Sequence, residues 1–393
     1  MAKKIFRLNM LHWVLIAIAA GIVCSLFFPV WAVRIFLTFN SIFGNFLGLF
    51  IPILIIGLIA PGIAELGKGA GRLLLITVAL AYASTVLVGL GTLFTCRATF
   101  PALLGNTAFA SGTDIANTLT PYFTIEMPPF MSVTSALVLS FVIGLAITGM
   151  ESPARLMFNI RELVYMVIRK VIVPCLPLFV FGIFLQIGAE GKVAPVLGLF
   201  GKVVLVILVL HVLVLVLQFC IAGGIARKNP FKALKSMLPA YVTALGTQSS
   251  AATIPVTLRC AKGLGVNERI ADFTIPLCAT IHLSCSVLKI TACAFAIIYT
   301  TGMDISLQAL IGFIFLLSIT MVAAPGVPGG AIMAALGVLS SCLGFTPDQQ
   351  GLMIALYIAL DSFGTAGNVT GDGAISLIVD RIWNGRLDDK HTH

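Results

Sequence analysis

The chain has 393 residues, 59% of them hydrophobic and only 10% charged, with a mean hydropathy of +1.09. A soluble domain carries roughly 25% charged residues, so this composition excludes a soluble globular protein and predicts an all-α polytopic membrane protein. The net charge of +9 does not signal nucleic acid, because basic residues in a multi-span chain report orientation instead.

The first apolar run, Met10 to Val30, follows Lys3, Lys4 and Arg7. It is long for a signal-peptide core and lacks a small-residue cleavage site, so it reads as a retained first helix. Ordinary spans are predicted near 10–33, 36–62, 73–96, 128–149, 163–188 and 195–224, each of the length that crosses ~30 Å of hydrocarbon. The segment 97–127 reads as a longer polar loop. With the N-terminus in the cytoplasm, all Lys and Arg except Arg34, Arg97, Lys192, Lys202 and Lys289 fall on that side, and Asp114, Glu126, Glu190, Asp304 and Asp348 fall opposite. The short loops and this charge bias predict a multi-pass protein of a prokaryotic inner (cytoplasmic) membrane with both termini inside. The nine cysteines are scattered through apolar runs without metal-ligand spacing, and read as small buried hydrophobes.

After residue 225 the pattern changes. A segment near 233–264 is interrupted by "GTQSSAATIP" and one near 306–343 by "APGVPGGA", and each precedes a long apolar helix, near 270–301 and 350–380. Such breakers free backbone N–H and C=O groups that lipid cannot satisfy, so the broken backbone must lie inside protein or beside a polar cavity. Read as re-entrant hairpins, one dips in from the cytoplasm and the other from outside, which is the inverted repeat of secondary transporters.

Lys289, Asp361 and Asp372 fall deep in these predicted segments, where ionisable groups mark transport or relay sites. At 100° per residue, Thr365, Asn368 and Asp372 share one helix face with Asp361. Two carboxylates, a carboxamide and a hydroxyl on one stripe suit a monovalent cation or a cargo ammonium. The competing reading is a buried acid paired with Lys289. Gly364, Gly367 and Gly371 flank the stripe, where missing side chains admit a ligand or close helix packing. His12 and His211 read as packed or interfacial.

These residues resemble the dicarboxylate/amino-acid:cation symporter family, the glutamate transporter homologues. "SSAATIPVT" (249–257), "PGVPGGAIM" (325–333) and "NVTGD" (368–372) are similar to the family's two hairpin tips and the signature of its last helix. The resemblance implies eight transmembrane helices plus two re-entrant hairpins and a homotrimer among membrane lipids. Scaffold segments 1–72 and 128–190 would stand beside a transport part, 73–127 and 191–393, that slides as an elevator. It implies that Asp361 binds the substrate's α-amino group and that Asn368 holds its α-carboxylate, helped by backbone N–H groups near Ser249 and Ser250 and around the Val327, Pro328, Gly329 and Gly330 tip. Thr365 and Ser286 would also touch substrate. Asp372, with the carbonyls of Asn368 and Cys278, would bind one sodium, and carbonyls of Thr280, Met321, Val322 and Ala324 a second.

Departures from the family pattern shape the expected substrate. Acidic-substrate members have arginine where this chain has Gly364, which is expected to offer no charge and more room, and Gln248 stands where some homologues supply arginine. A substrate side-chain carboxylate would then be desolvated without compensation. The expectation is a symporter for a small neutral amino acid of the serine, threonine, alanine or cysteine type, coupled to sodium and requiring no cofactor. Helix 7 carries "HLSCS" (282–286), in which Ser284 replaces an aspartate of a third sodium site. His282 and Lys289 make a proton-coupled or weakly coupled carrier, of amino acids or dicarboxylates, the alternative. An intramembrane enzyme using Ser284 or Ser249 with His282 is disfavoured, since positions two apart on a helix point to different faces.

Overall fold

The computed structural model describes residues 10–67, 71–105, 119–191, 193–322, 324 and 329–388. Val327 and Pro328 of the expected substrate site, Asp114 and the first basic cluster lie outside the described residues.

Helices α1 (Met10–Ser25), α2 (Val30–Gly67) and α3 (Gly71–Leu104) are apolar on every side, the pattern of helices solvated by lipid and other helices rather than by water. Pro29 and its neighbours separate α1 from α2, ending the first predicted span at Ser25. Next, α4 (Val133–Ala146) starts at Ser132, whose hydroxyl accepts the Ser135 N–H at 3.1 Å. The predicted fifth span begins earlier than expected, as α5 (Glu151–Val167), a π turn over Ile168–Ile172, and α6 (Val173–Ala189). Its first part escapes a hydropathy reading because Glu151, Arg155, Arg161 and Glu162 dilute it, yet Ala154, Met157 and Val164 form a buried stripe at helical spacing. The π turn has a local cause: Pro174 has no N–H to offer Lys170, and its ring crowds that carbonyl. Helix α7 (Val193–Ala226) completes this half.

Beyond it, short pieces replace long ones. A hairpin of α9 (Leu238–Thr247) and α10 (Ser250–Gly263) follows the short α8 (Pro230–Ser236). Its tip turns at Gln248, in the left-handed region at φ 53°, and Ser249 caps α10 by accepting the Ala252 N–H at 3.3 Å. A broken helix follows, α11 (Glu268–Ile281) and α12 (Ser284–Thr301). The same succession then recurs: α13 (Leu307–Val322) and α14 (Gly330–Leu343), then α15 (Pro347–Ala359) and α16 (Asp361–Asp388), with α15 and α16 bent by 63°. Both long helices expected after the hairpins are thus interrupted, at His282–Leu283 and at Leu360.

Among the described residues there are no strands, and five helical stretches are long and apolar enough to cross a membrane, with the bent α15–α16 pair a sixth. Helices α1 and α4 span 16 and 14 residues. Helices α1, α2, α4, α5 and α6 pack on one another; α3, α7 and the two hairpins gather around α12 and α16. The two groups meet where α2 faces α14 and α15, beside a cavity of about 550 Å³ lined in part by Asn45, Glu126, Ser341 and Gln350. Helix α12 is buried along nearly its whole length, so its side chains decide what lies at the centre.

Candidate functional site

The polar stripe of α16 faces that centre. Asp361, Thr365, Asn368 and Asp372 are all buried, and they meet α11, α12 and the start of α14 rather than lipid. Asn368 Oδ1 accepts the N–H groups of Cys285 (2.8 Å) and Ser286 (3.3 Å), while its Nδ2 donates to Ser286 Oγ at 2.9 Å. The first turn of α12 has orphan N–H groups because His282 and Leu283 leave the helical conformation. Asn368 caps them from a different helix. Tyr357 on α15 donates to the same Ser286 hydroxyl at 3.0 Å.

Asp361 begins α16 and is divided between two partners. Its Oδ2 accepts the Gly329 N–H at 2.7 Å, where Gly329 (φ 73°) leads into α14. Its Oδ1 lies 3.5 Å from Lys289 Nζ. Lys289 also donates to the Leu360 carbonyl at 3.2 Å and stands 3.9 Å from the centroid of the Tyr357 ring. The expectation that Gly364 offers no charge and more room is therefore corrected. A Cβ built at Gly364 would lie 2.1 Å from Lys289 Nζ and 2.2 Å from its Cε. The space is taken, and a cation from α12 takes it. The other flanking glycines are filled in the same way, Gly367 by Cys285 and His211 and Gly371 by Gln218 and His282, so close packing is their role.

Asp372 is paired as well. Its Oδ1 lies 3.0 Å from His282 Nδ1, and its Oδ2 has no hydrogen-bond partner. His282 Nε2 meets Ser84 Oγ of α3 at 3.1 Å, and Gln218 Nε2 of α7 donates to Ser84 Oγ and Ser284 Oγ, both at 3.1 Å. Gln218 to Ser84 to His282 to Asp372 is one connected chain that joins α3, α7 and α16 to the break between α11 and α12, with the ring assigned Nδ1–H by its carboxylate neighbour. His282 thus meets Ser84 rather than Ser284 or Ser249. Both amide hydrogens of Gln218 are committed to the Ser84 and Ser284 hydroxyls.

Among the described residues no group of three or more His, Cys, Asp or Glu side chains converges. A monovalent cation would rest on Asp372 Oδ2 and on carbonyl oxygens, a set of hard oxygen donors without sulfur or imidazole. The Cys278 carbonyl, expected at that site, accepts the His282 N–H at 2.8 Å. The residues expected around a second cation are distributed differently: Thr280 is exposed, Met321 and Ala324 are buried, and the Met321 carbonyl accepts the Ala324 N–H at 3.2 Å. Ser249 and Ser250 stand at the N-terminus of α10, which packs on α16. His211 is buried against the Tyr241 hydroxyl at 3.2 Å, and His12 is exposed.

Sequence reasoning missed Tyr357, Ser84, Gln218 and the Leu360 carbonyl. Ser84 and Gln218 carried a usable signal, as polar residues in apolar spans. Tyr357 carried one too, since it lies four residues before Asp361 and would share its face in the unbroken helix expected near 350–380.

A model of the sodium:dicarboxylate symporter family matches residues 10–382 of the chain. An excitatory amino acid transporter of Caenorhabditis elegans is 28% identical over 273 residues, covering 67% of this chain and 54% of that protein. Excitatory amino acid transporter 3 of Mus musculus is 31% identical over 271 residues (66% and 50%), and excitatory amino acid transporter 2 of Homo sapiens 27% over 274 residues (67% and 47%). The chain spans about half the length of the curated relatives it matches.

Proposed function

The chain belongs to the sodium:dicarboxylate symporter family, a family of membrane transporters and not of enzymes, and we propose that it is a cation-coupled symporter of a small neutral amino acid. The observation that carries this reading is the division of buried Asp361 between Lys289 and the Gly329 N–H. Asp361 meets the cargo ammonium. The cargo carboxylate lies toward Asn368 Nδ2 and the N-termini of α10 and α14, where helix dipoles favour an anion. The pocket's own fixed charges, Asp361 and Lys289, sum to zero. A zwitterion keeps that sum, whereas an acidic amino acid adds a negative charge that the pocket leaves unpaired.

Sodium binds at Asp372 Oδ2 and nearby carbonyls as the co-transported ion, and ion and cargo raise each other's affinity by reciprocal linkage. Helices α1, α2 and α4 to α6 form the scaffold of a homotrimer, and the remaining helices carry the site across the inner membrane as an elevator. A second reading, proton coupling, is favoured by His282, which already occupies Asp372 Oδ1. Uptake of radiolabelled L-serine, L-alanine and L-aspartate into proteoliposomes tests both. Serine or alanine uptake driven by a sodium gradient is expected, and Asp361→Ala should abolish it. Uptake that persists in choline under an imposed proton gradient selects the second reading, and aspartate uptake alone refutes the neutral cargo.

A further inference from the structure

A carrier that accumulates its cargo must return its pocket empty, and a lone carboxylate in the bilayer interior resists that return, because its charge crosses unpaired. Here the carboxylate is not alone. Lys289 stands 3.5 Å from Asp361 Oδ1, in the space that the absent side chain of Gly364 leaves open. On the other oxygen, the Gly329 N–H at 2.7 Å ties down the start of α14. Acid, ammonium and hairpin backbone form one closed group in which Asp361 and Lys289 are 5% and 1% exposed.

Lys289 also has two contacts that do not involve Asp361, the Leu360 carbonyl at 3.2 Å and the face of Tyr357 at 3.9 Å. An ammonium held by a carbonyl dipole and an aromatic face retains a place to stand when a cargo ammonium takes over the carboxylate. The cargo's own carboxylate then balances the released charge, so the pocket is neutral both empty and loaded.

From this geometry we propose that Lys289 is a built-in substitute for the cargo's ammonium: in the empty pocket it neutralises Asp361 and lets the second hairpin close, so the unloaded protein returns without a counter-transported cation. The proposal rests on the symporter reading above. Two properties follow. Net uptake needs the return of the empty pocket and therefore Lys289, whereas one-for-one exchange needs only loaded crossings. The Gly329 amide, moreover, is protected from solvent in cargo-free protein through Lys289.

The test uses the full chain in liposomes with L-[³H]serine, comparing net uptake into empty vesicles with exchange into vesicles preloaded with unlabelled serine. Lys289→Met keeps length and removes charge, and it should raise the ratio of exchange to net uptake by about tenfold or more, with Lys289→Arg restoring it. An unchanged ratio overturns the proposal. Hydrogen exchange on cargo-free protein gives a readout independent of transport: the Gly329 amide, followed in a peptide that begins at least two residues before it, should exchange about tenfold faster in Lys289→Met and remain protected in Lys289→Arg. Equal protection in all three overturns it. If the unmodified protein moves neither serine nor alanine, the symporter reading fails, and the exchange of the Gly329 amide still decides whether Lys289 closes the hairpin.

Discussion

Gly364 shows how a residue with no side chain sets the chemistry of its surroundings. Arginine at this position would place a cation on α16; glycine lets Lys289 deliver one from α12, with Nζ only 2.1 Å from the missing Cβ. Gly364→Ala should therefore act through Lys289. The flexible end of that side chain can withdraw, so the protein folds with a stability loss of about 1–2 kcal/mol, readable as a lower melting temperature. Serine uptake should weaken because Asp361 and Lys289 no longer meet. Gly364→Arg combined with Lys289→Met moves the cation back to α16, and competition by L-aspartate is the measurement that detects the change. At the neighbouring acid, His282→Ala leaves Asp372 buried with neither oxygen partnered. Loss of one member of such a pair costs about 3 kcal/mol, which should exceed the cost of the Gly364→Ala exchange in the same melting assay.

Two kinds of break divide the helices, and they differ in how they are made. The hairpins are written locally: Ser249 caps α10 from within its own segment, and Gly329 adopts a positive φ that favours glycine at the start of α14. The interruptions at His282–Leu283 and Leu360 involve no glycine or proline at the break. They persist because partners from elsewhere satisfy the freed groups: Asn368 accepts from Cys285 and Ser286, and Lys289 donates to Leu360. Asn368→Ala should therefore behave as the removal of a helix cap, costing about 1–2 kcal/mol. Faster hydrogen exchange confined to the Cys285 and Ser286 amides would identify that cause, and uniform acceleration along α12 would argue against it.

For the whole molecule, the boundary between the two helix groups is what an elevator must slide along. Gly44 of α2 and Pro347 of α15 approach across it, with an added Cβ at Gly44 lying 3.1 Å from the Pro347 Cβ. A disulfide between Gly44→Cys and Pro347→Cys should stop serine uptake and leave serine binding intact, with uptake recovered on reduction. Undiminished uptake by the oxidised protein would refute relative sliding of the two groups.

Composition and the spacing of apolar runs determined the membrane class, the two hairpins and the acidic stripe of α16, because hydropathy and backbone breakers act locally and along one helix. The structure alone decided which cation meets which acid. Lys289 could be read as a partner for Asp361, but its seat over Tyr357 in the space beside Gly364, like the pairing of His282 with Asp372, depends on how α12, α15 and α16 cross and bend. No periodicity encodes such a crossing. It follows from packing among segments far apart in the chain, where burying an unpaired charge costs more than bending a helix to pair it.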